Sequence, residues 1–180
     1  LMRFHPRPGE VKTDSFTLYG FTGERHQPQR RTDPRWAVLF LHGGGYLMGS
    51  PASHRNIAAR MSVYAGVNVY VPQYRLAPEN PYPAQLDDAE AAFMALVGMG
   101  FEAHRIVVAG DSAGGNLSLA LVQRLRERQV TEPAALVLIS PWTDATLSQL
   151  PDHDSDALLP KAWTRSIRPG FVSDELLGDP

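Results

Sequence analysis

Ile106-Val107-Val108-Ala109-Gly110-Asp111-Ser112-Ala113-Gly114-Gly115 is the stretch on which the fold turns. Its first four residues are apolar and mostly β-branched, the signature of a buried strand. Residues 113–128, which follow, read as a helix. Between strand and helix, Gly110-Asp111-Ser112-Ala113-Gly114 fits the pattern G-x-S-x-G. A strand-to-helix turn must be sharp to lift the Ser112 hydroxyl above the sheet edge, and bulky residues at 110 or 114 would clash with the turned backbone. Helix N-terminal amides favour negative charge developing beside Ser112. The bare pattern also suits a Gly-rich turn with no chemistry. Its place directly after a buried strand, with Gly115 behind it, favours a nucleophile.

Outward from this turn, strands alternate with helices. Trp36-Ala37-Val38-Leu39-Phe40-Leu41 is a continuous apolar run, the mark of a strand covered on both faces. Residues 53–65 carry Ile57, Ala58, Met61 and Ala65 at helical spacing, and 67–71 read as a second buried strand. Residues 83–97 form a helix with Pro83 in its first turn, acidic residues Asp87, Asp88 and Glu90 toward its positive end, and Gly98 and Gly100 at its close. Residues 135–139 supply a fourth strand. Nearer the start, 16–19 end a strand, and 20–35 read as a polar connection. The series βαβαβαβ implies one α/β domain over 1–180: a mostly parallel sheet with right-handed crossovers and helices on both faces. From 143 to 160 the alternation stops in an Asp-, Ser- and Pro-rich loop that leaves the sheet, and 161–172 are weakly helical. Residues 143–180 therefore read as the start of a cap or lid on a sheet that is incomplete at its C-terminal side.

A second glycine-rich loop, His42-Gly43-Gly44-Gly45-Tyr46, also follows a strand directly. Acyl transfer passes through a tetrahedral intermediate whose oxygen becomes negative, and preorganised backbone N–H groups stabilise it. Three glycines let consecutive amides point at one spot with no side chain in the substrate's way. Competing readings are a flexible turn and a phosphate loop. The phosphate loop fails because neither G-x-x-x-x-G-K-[ST] nor G-x-G-x-x-G is present. His42 has two readings, a catalytic base or a structural histidine that fixes the loop, and the second is preferred.

Composition narrows the classes. The 180 residues are 43% hydrophobic and 20% charged with a formal net charge of -2, which gives no reason to expect nucleic acid or an anionic membrane as partner. Cysteine is absent, so disulfides are impossible and a reducing compartment is permitted. No apolar run is long enough for a spanning helix, so no membrane insertion is expected, and the polar, Pro-rich residues 1–10 lack a signal-peptide core. A cytoplasmic protein is the default reading. Leu rather than Met at position 1 suggests that the chain starts within a longer reading frame. The basic cluster Arg124-Leu125-Arg126-Glu127-Arg128 reads as a solvated last helical turn rather than an anion site.

Besides the loop at His42 and the turn at Ser112, the chain carries Tyr74-Arg75-Leu76-Ala77-Pro78-Glu79, then Pro81-Tyr82-Pro83-Ala84 with Asp87-Asp88, and Ser140-Pro141-Trp142-Thr143-Asp144. In order and spacing, from about residue 36 onward, these motifs resemble the bacterial hormone-sensitive-lipase-like esterases of the α/β-hydrolase superfamily. The resemblance implies Ser112 as nucleophile and an oxyanion hole from the amides of Gly44, Gly45 and Ala113, with His42 and Gly43 positioning the loop. It implies hydrolysis of short-chain or small-molecule carboxylic esters with no metal and no cofactor, and a full-length protein in which a homodimer is allowed.

The resemblance also implies a triad in the order Ser, Asp, His, with the last two beyond Pro180, and cap helices ahead of the first strand that are absent or trimmed here. Within the chain, Ser112, Asp144 and His153 have the right order. Positions 144 and 153 are too close for an intervening strand and helix, so this compact set ranks last and His153 is expected on a loop. Asp152-His153-Asp154-Ser155-Asp156 resembles the opening of a calcium loop, but Ala157 and Trp163 stand where Gly and Glu are needed. Trp142 and Trp163 suit a pocket wall or plain core equally. Two other functions compete with the esterase: a hydrolase-fold receptor for small molecules, and a catalytically dead fragment whose open sheet exposes its last edge.

Overall fold

The apolar runs form the central strands of a single six-stranded sheet. The computed structural model describes residues 11–18, 20–30, 32–144, 146, 165, 166 and 169–171. Six strands, β1 (Val11–Leu18), β2 (Phe21–Pro28), β3 (Ala37–Leu41), β4 (Asn68–Pro72), β5 (Ile106–Asp111) and β6 (Ala135–Ile139), lie in the order β1-β2-β4-β3-β5-β6. The pairings β3–β4, β3–β5 and β5–β6 are parallel, while β1–β2 and β2–β4 are antiparallel. Three helices make the crossovers: α1 (Pro51–Ala65), α2 (Ala84–Gly98) and α3 (Ala113–Glu127). The sheet is thus the mixed, mostly parallel one of the α/β-hydrolase fold.

Alternation along the central strands divides the interior into two cores, because successive side chains leave a strand on opposite faces. Val38, Phe40, Val69, Val71 and Ala109 pack with Ala58, Ile57 and Met61 of α1. Leu39, Leu41, Tyr70, Ile106 and Val108 pack on the other face with Phe93 and Leu96 of α2 and Leu117, Leu121 and Leu125 of α3. The spacing of four in the α3 leucines keeps one stripe facing the sheet. Helix starts are specified locally as well. Ser50 caps α1 in a reciprocal box with Ser53, and Pro51 takes the first helical position.

Two sequence expectations need correction. Residues 20–35 are not merely a polar connection, since they contain β2, joined to β1 by a tight hairpin in which Leu18 pairs with Phe21. The strand escapes a hydrophobic count because its buried face is polar. Glu24 and His26 point inward, Glu24 against the Arg55 guanidinium of α1 and His26 with its Nδ1 2.9 Å from Thr13 Oγ1. The basic cluster at the end of α3 is not simply solvated either. Arg124 reaches Asp87 and Glu90 on α2, Arg128 also pairs with Glu90 at 2.6 Å, and Arg124 is only 15% exposed. These pairs tie α2 to α3.

The topology also fixes where a site can form. From β3 the chain moves outward through α1 to β4, whereas from β5 it moves the opposite way through α3 to β6. Adjacent parallel strands whose connections diverge leave a crevice at their C-terminal ends, the usual ligand position in open α/β sheets. Leu41 stands beside Gly110 in the register, so both glycine-rich motifs emerge at that crevice. Among the described residues, no helix is long and apolar enough to cross a membrane.

Candidate active site

Ser112 occupies the single residue between β5 and α3, with φ 52° and ψ -120°. A non-glycine residue rarely takes that conformation, and here the surroundings enforce it. The Ser112 N–H donates to the Ile139 carbonyl at 3.0 Å, and the Ser112 carbonyl accepts from Trp142 N at 2.9 Å and Asn116 N at 3.1 Å. The end of β6 and the first turn of α3 therefore clamp the turn from both sides. The hydroxyl does not cap α3, and the residue is partly exposed. The flanking glycines are required by close approach. A β-carbon at Gly110 would overlap the Gly114 carbonyl, and one at Gly114 would overlap the Leu41 carbonyl at the end of β3.

The loop after β3 is packed against this turn. Gly43 N–H donates to Asp111 Oδ1 at 2.9 Å, and the Tyr46 hydroxyl donates to Asn116 Oδ1 in α3 at 2.6 Å. Gly44, Gly45 and Tyr46 all have positive φ, at 127°, 62° and 63°. The Gly44 carbonyl accepts from Leu47 N and Met48 N, closing a turn. Among the described residues, the N–H groups of Gly44 and Gly45 make no hydrogen bond. Ala113, as the first helical residue, likewise has no intrahelical acceptor for its N–H. Free amides thus stand on both sides of the crevice.

His42 is fully buried beneath the loop. Its ring stacks on Tyr74 with centroids 4.2 Å apart, its Nδ1 lies 2.9 Å from the Gly43 carbonyl, and the Tyr74 hydroxyl donates to the His42 carbonyl at 2.6 Å. Burial, which outweighs the Gly43 carbonyl, pushes its pKa down to about 4, so the imidazole is neutral at pH 7. No hydrogen bond links it to Ser112. At Asp111, burial acts to raise the pKa, but hydrogen bonding and charge from His54, with the Gly43 N–H, hold the carboxylate below its ordinary range. His54 of α1 lies with Nε2 3.4 Å from Asp111 Oδ1.

Over the loop, the Phe171 ring stacks on Tyr46 at 3.8 Å, and its carbonyl accepts from Tyr82 N at 3.0 Å. Trp142 is partly buried near Tyr46, with Nε1 donating to the Asp144 carbonyl at 2.7 Å. The Asp144 carboxylate accepts from Thr146 N at 2.9 Å. Asp152, His153 and Trp163 lie outside the described residues, as does the calcium-like stretch 152–156. Among the described residues, no three His, Asp or Glu side chains cluster to hold a metal. Sequence reasoning missed the contacts through Asp111, His54, Tyr46 and Asn116. The only available signal was that an acid occupies the free position of G-x-S-x-G.

Residues 38–179 match a family of α/β-hydrolase fold. The chain is 43% identical over 137 residues to an acetyl-hydrolase of Streptomyces hygroscopicus, covering 76% of this chain and 44% of that protein. It is 32% identical over 184 residues to an esterase of Acinetobacter venetianus, covering all of this chain and 60% of that one. The solved structure of a hormone-sensitive lipase from a metagenome library superposes with a TM-score of 0.88 at 35% identity, over 94% of this chain and 59% of the other. The chain thus spans about half the length of these relatives.

Proposed function

Because this chain belongs to the α/β-hydrolase family of hormone-sensitive-lipase-like esterases, we propose that the whole protein hydrolyses short-chain or small-molecule carboxylic esters through an acyl-enzyme on Ser112. The observation that carries this reading is the Ser112 conformation: φ 52° on a non-glycine residue, with a hydroxyl left free of the helix it precedes. Backbone outliers of this kind collect at functional sites because surrounding structure must support them.

In the proposed reaction Ser112 Oγ attacks the ester carbonyl carbon while a base takes its proton. The carbonyl oxygen becomes an oxyanion and accepts hydrogen bonds from Gly44, Gly45 and Ala113 N–H, all free to donate. The N-terminus of α3 adds its positive dipole end. Collapse expels the alcohol with the proton held by the base, and water then cleaves the acyl-enzyme by the reverse sequence. No described histidine is bonded to Ser112. In this reading the base and its carboxylate belong to the part of the whole protein outside this chain, since His153 follows Asp144 too closely for an intervening strand and helix; this chain matches 44% and 60% of the length of two relatives. Phe171, stacked on Tyr46, belongs in this reading to a cap that begins near 143 and bounds the acyl site.

Ser112→Ala in the whole protein tests the assignment. Its kcat on a short-chain aryl ester should fall on the order of 10³-fold or more, with only binding and oxyanion stabilisation left. A serine-directed phosphonate should label Ser112 in the wild type. Undiminished turnover by the alanine variant would end the proposal.

A further inference from the structure

We infer that His54 is a positioning residue for the oxyanion loop, acting through Asp111; the inference rests on the oxyanion role proposed for Gly44 and Gly45. Asp111 is the last residue of β5, and its Oδ1 accepts the first amide of the glycine loop, Gly43 N–H, at 2.9 Å. A β-carbon on Gly43 would overlap the same carboxylate, so loop and acid are in direct contact. The oxygen that holds Gly43 also faces His54 Nε2 at 3.4 Å. His54 is 6% exposed, packed beside Phe40 and stacked on His42 with centroids 5.3 Å apart. Its other nitrogen, Nδ1, lies 2.8 Å from Ser53 Oγ and 3.3 Å from the Ser50 carbonyl, within the capping box of α1. One imidazole therefore spans from the start of α1 to the end of β5.

The chemistry of the two ends explains why histidine suits this place. A carboxylate offers only lone pairs, so Nε2 must carry a hydrogen to face it. A serine hydroxyl can give or accept, so Nδ1 is served whether or not it is protonated. One ring thus meets two different partners, a carboxylate at Nε2 and a hydroxyl at Nδ1. The mechanical consequence lies in the loop. Gly43, Gly44 and Gly45 have no side chains to resist rotation, and their first amide is fixed by a carboxylate that is itself fixed by His54. Release Asp111, and the following peptide planes turn away from the oxyanion. Displacements of about 1 Å at such donors can cost ~10²-fold in rate.

The test compares His54→Ala with His54→Gln in the whole protein, since the glutamine Nε2 can stand where the imidazole Nε2 stood. Two readouts are taken: kcat and KM on a short-chain aryl ester, and hydrogen exchange at the Gly43 amide. His54→Ala should lower kcat about 10-fold or more while KM moves less than about threefold. Gly43 exchange should quicken while the amides of Ala58 and Ala59, in the middle of α1, keep their protection. His54→Gln should restore both readouts. A kcat within twofold of wild type in His54→Ala, or an equal deficit in His54→Gln, would overturn the inference. If the wild type neither hydrolyses esters nor is labelled at Ser112, the functional reading falls, and Gly43 exchange alone then decides whether His54 holds the loop.

Discussion

Gly44→Ala isolates the contribution of the oxyanion loop. At Gly44 φ is 127°, a conformation open to glycine and strained by roughly 1–3 kcal/mol for any other residue. The added β-carbon would also overlap the Met48 carbonyl, which is backbone and cannot swing aside. Both penalties are relieved by one movement, rotation of the peptides flanking residue 44, and those peptides carry the Gly44 and Gly45 N–H groups. Loss of one oxyanion donor typically costs about 10²- to 10³-fold in kcat, or ~3–4 kcal/mol of transition-state stabilisation. Substrate binding before attack involves little charge on that oxygen, so KM should change far less. Gly100→Ala is the matched control. Its φ of 96° carries the same backbone penalty, but nothing lies within 4 Å of its would-be β-carbon, and it sits after α2, away from the crevice. Stability from denaturant melts and kcat per folded molecule are measured for both variants. The control should lose about 1 kcal/mol or somewhat more with kcat unchanged. If Gly44→Ala instead lost stability while kcat per folded molecule held, the loop would be a structural turn.

Two further outcomes follow from the surroundings of the site. His42 has a pKa of about 4 when folded against 6.5 when unfolded, so the unfolded chain binds more protons between those values. Stability from this group is fully present above pH ~6.5 and is lost as pH falls toward 4, by roughly 3 kcal/mol at ~1.4 kcal/mol per tenfold change in proton affinity; melts across that range should show the slope in wild type and its loss in His42→Gln. Asp88 is 7% exposed and takes both the Arg75 backbone N–H, at 2.8 Å, and its guanidinium, at 2.7 Å. Arg75→Met should therefore cost about 2 kcal/mol by leaving a buried carboxylate half-satisfied, and a denaturant midpoint equal to wild type would contradict this.

The parts of the structure that the sequence makes legible are those whose backbone and side-chain signals agree. Trp36 to Leu41 and Ile106 to Ala109 are apolar on both faces because helices cover both, and a continuous run says so directly. The glycines at 110 and 114 mark a close approach of backbones that no other residue permits. By contrast, β2 was hidden because an inward Glu24 and His26 mimic loop composition, and only the distant Arg55 and Thr13 reveal why they are tolerated inside. The His54 bridge was hidden for a similar reason. Residue 111 is far in the chain from residues 43 and 54, and neither a periodicity nor a short motif records that a fold brings three polar groups together.

The clamp around Ser112 has a consequence for how the molecule trades stability against activity. Hydrogen bonds from the end of β6 and the first turn of α3 hold residue 112 at φ 52° whatever its side chain, so any residue with a β-carbon bears the same cost there. Alanine keeps that cost and loses only the oxygen, which makes Ser112→Ala a report on chemistry alone. Glycine would relieve the cost, by ~1 kcal/mol or more. The most stable occupant of this position is thus an inert one. Serine at 112 is a standing tax on folding, and exchange for glycine would raise stability wherever a hydroxyl at the crevice had no use.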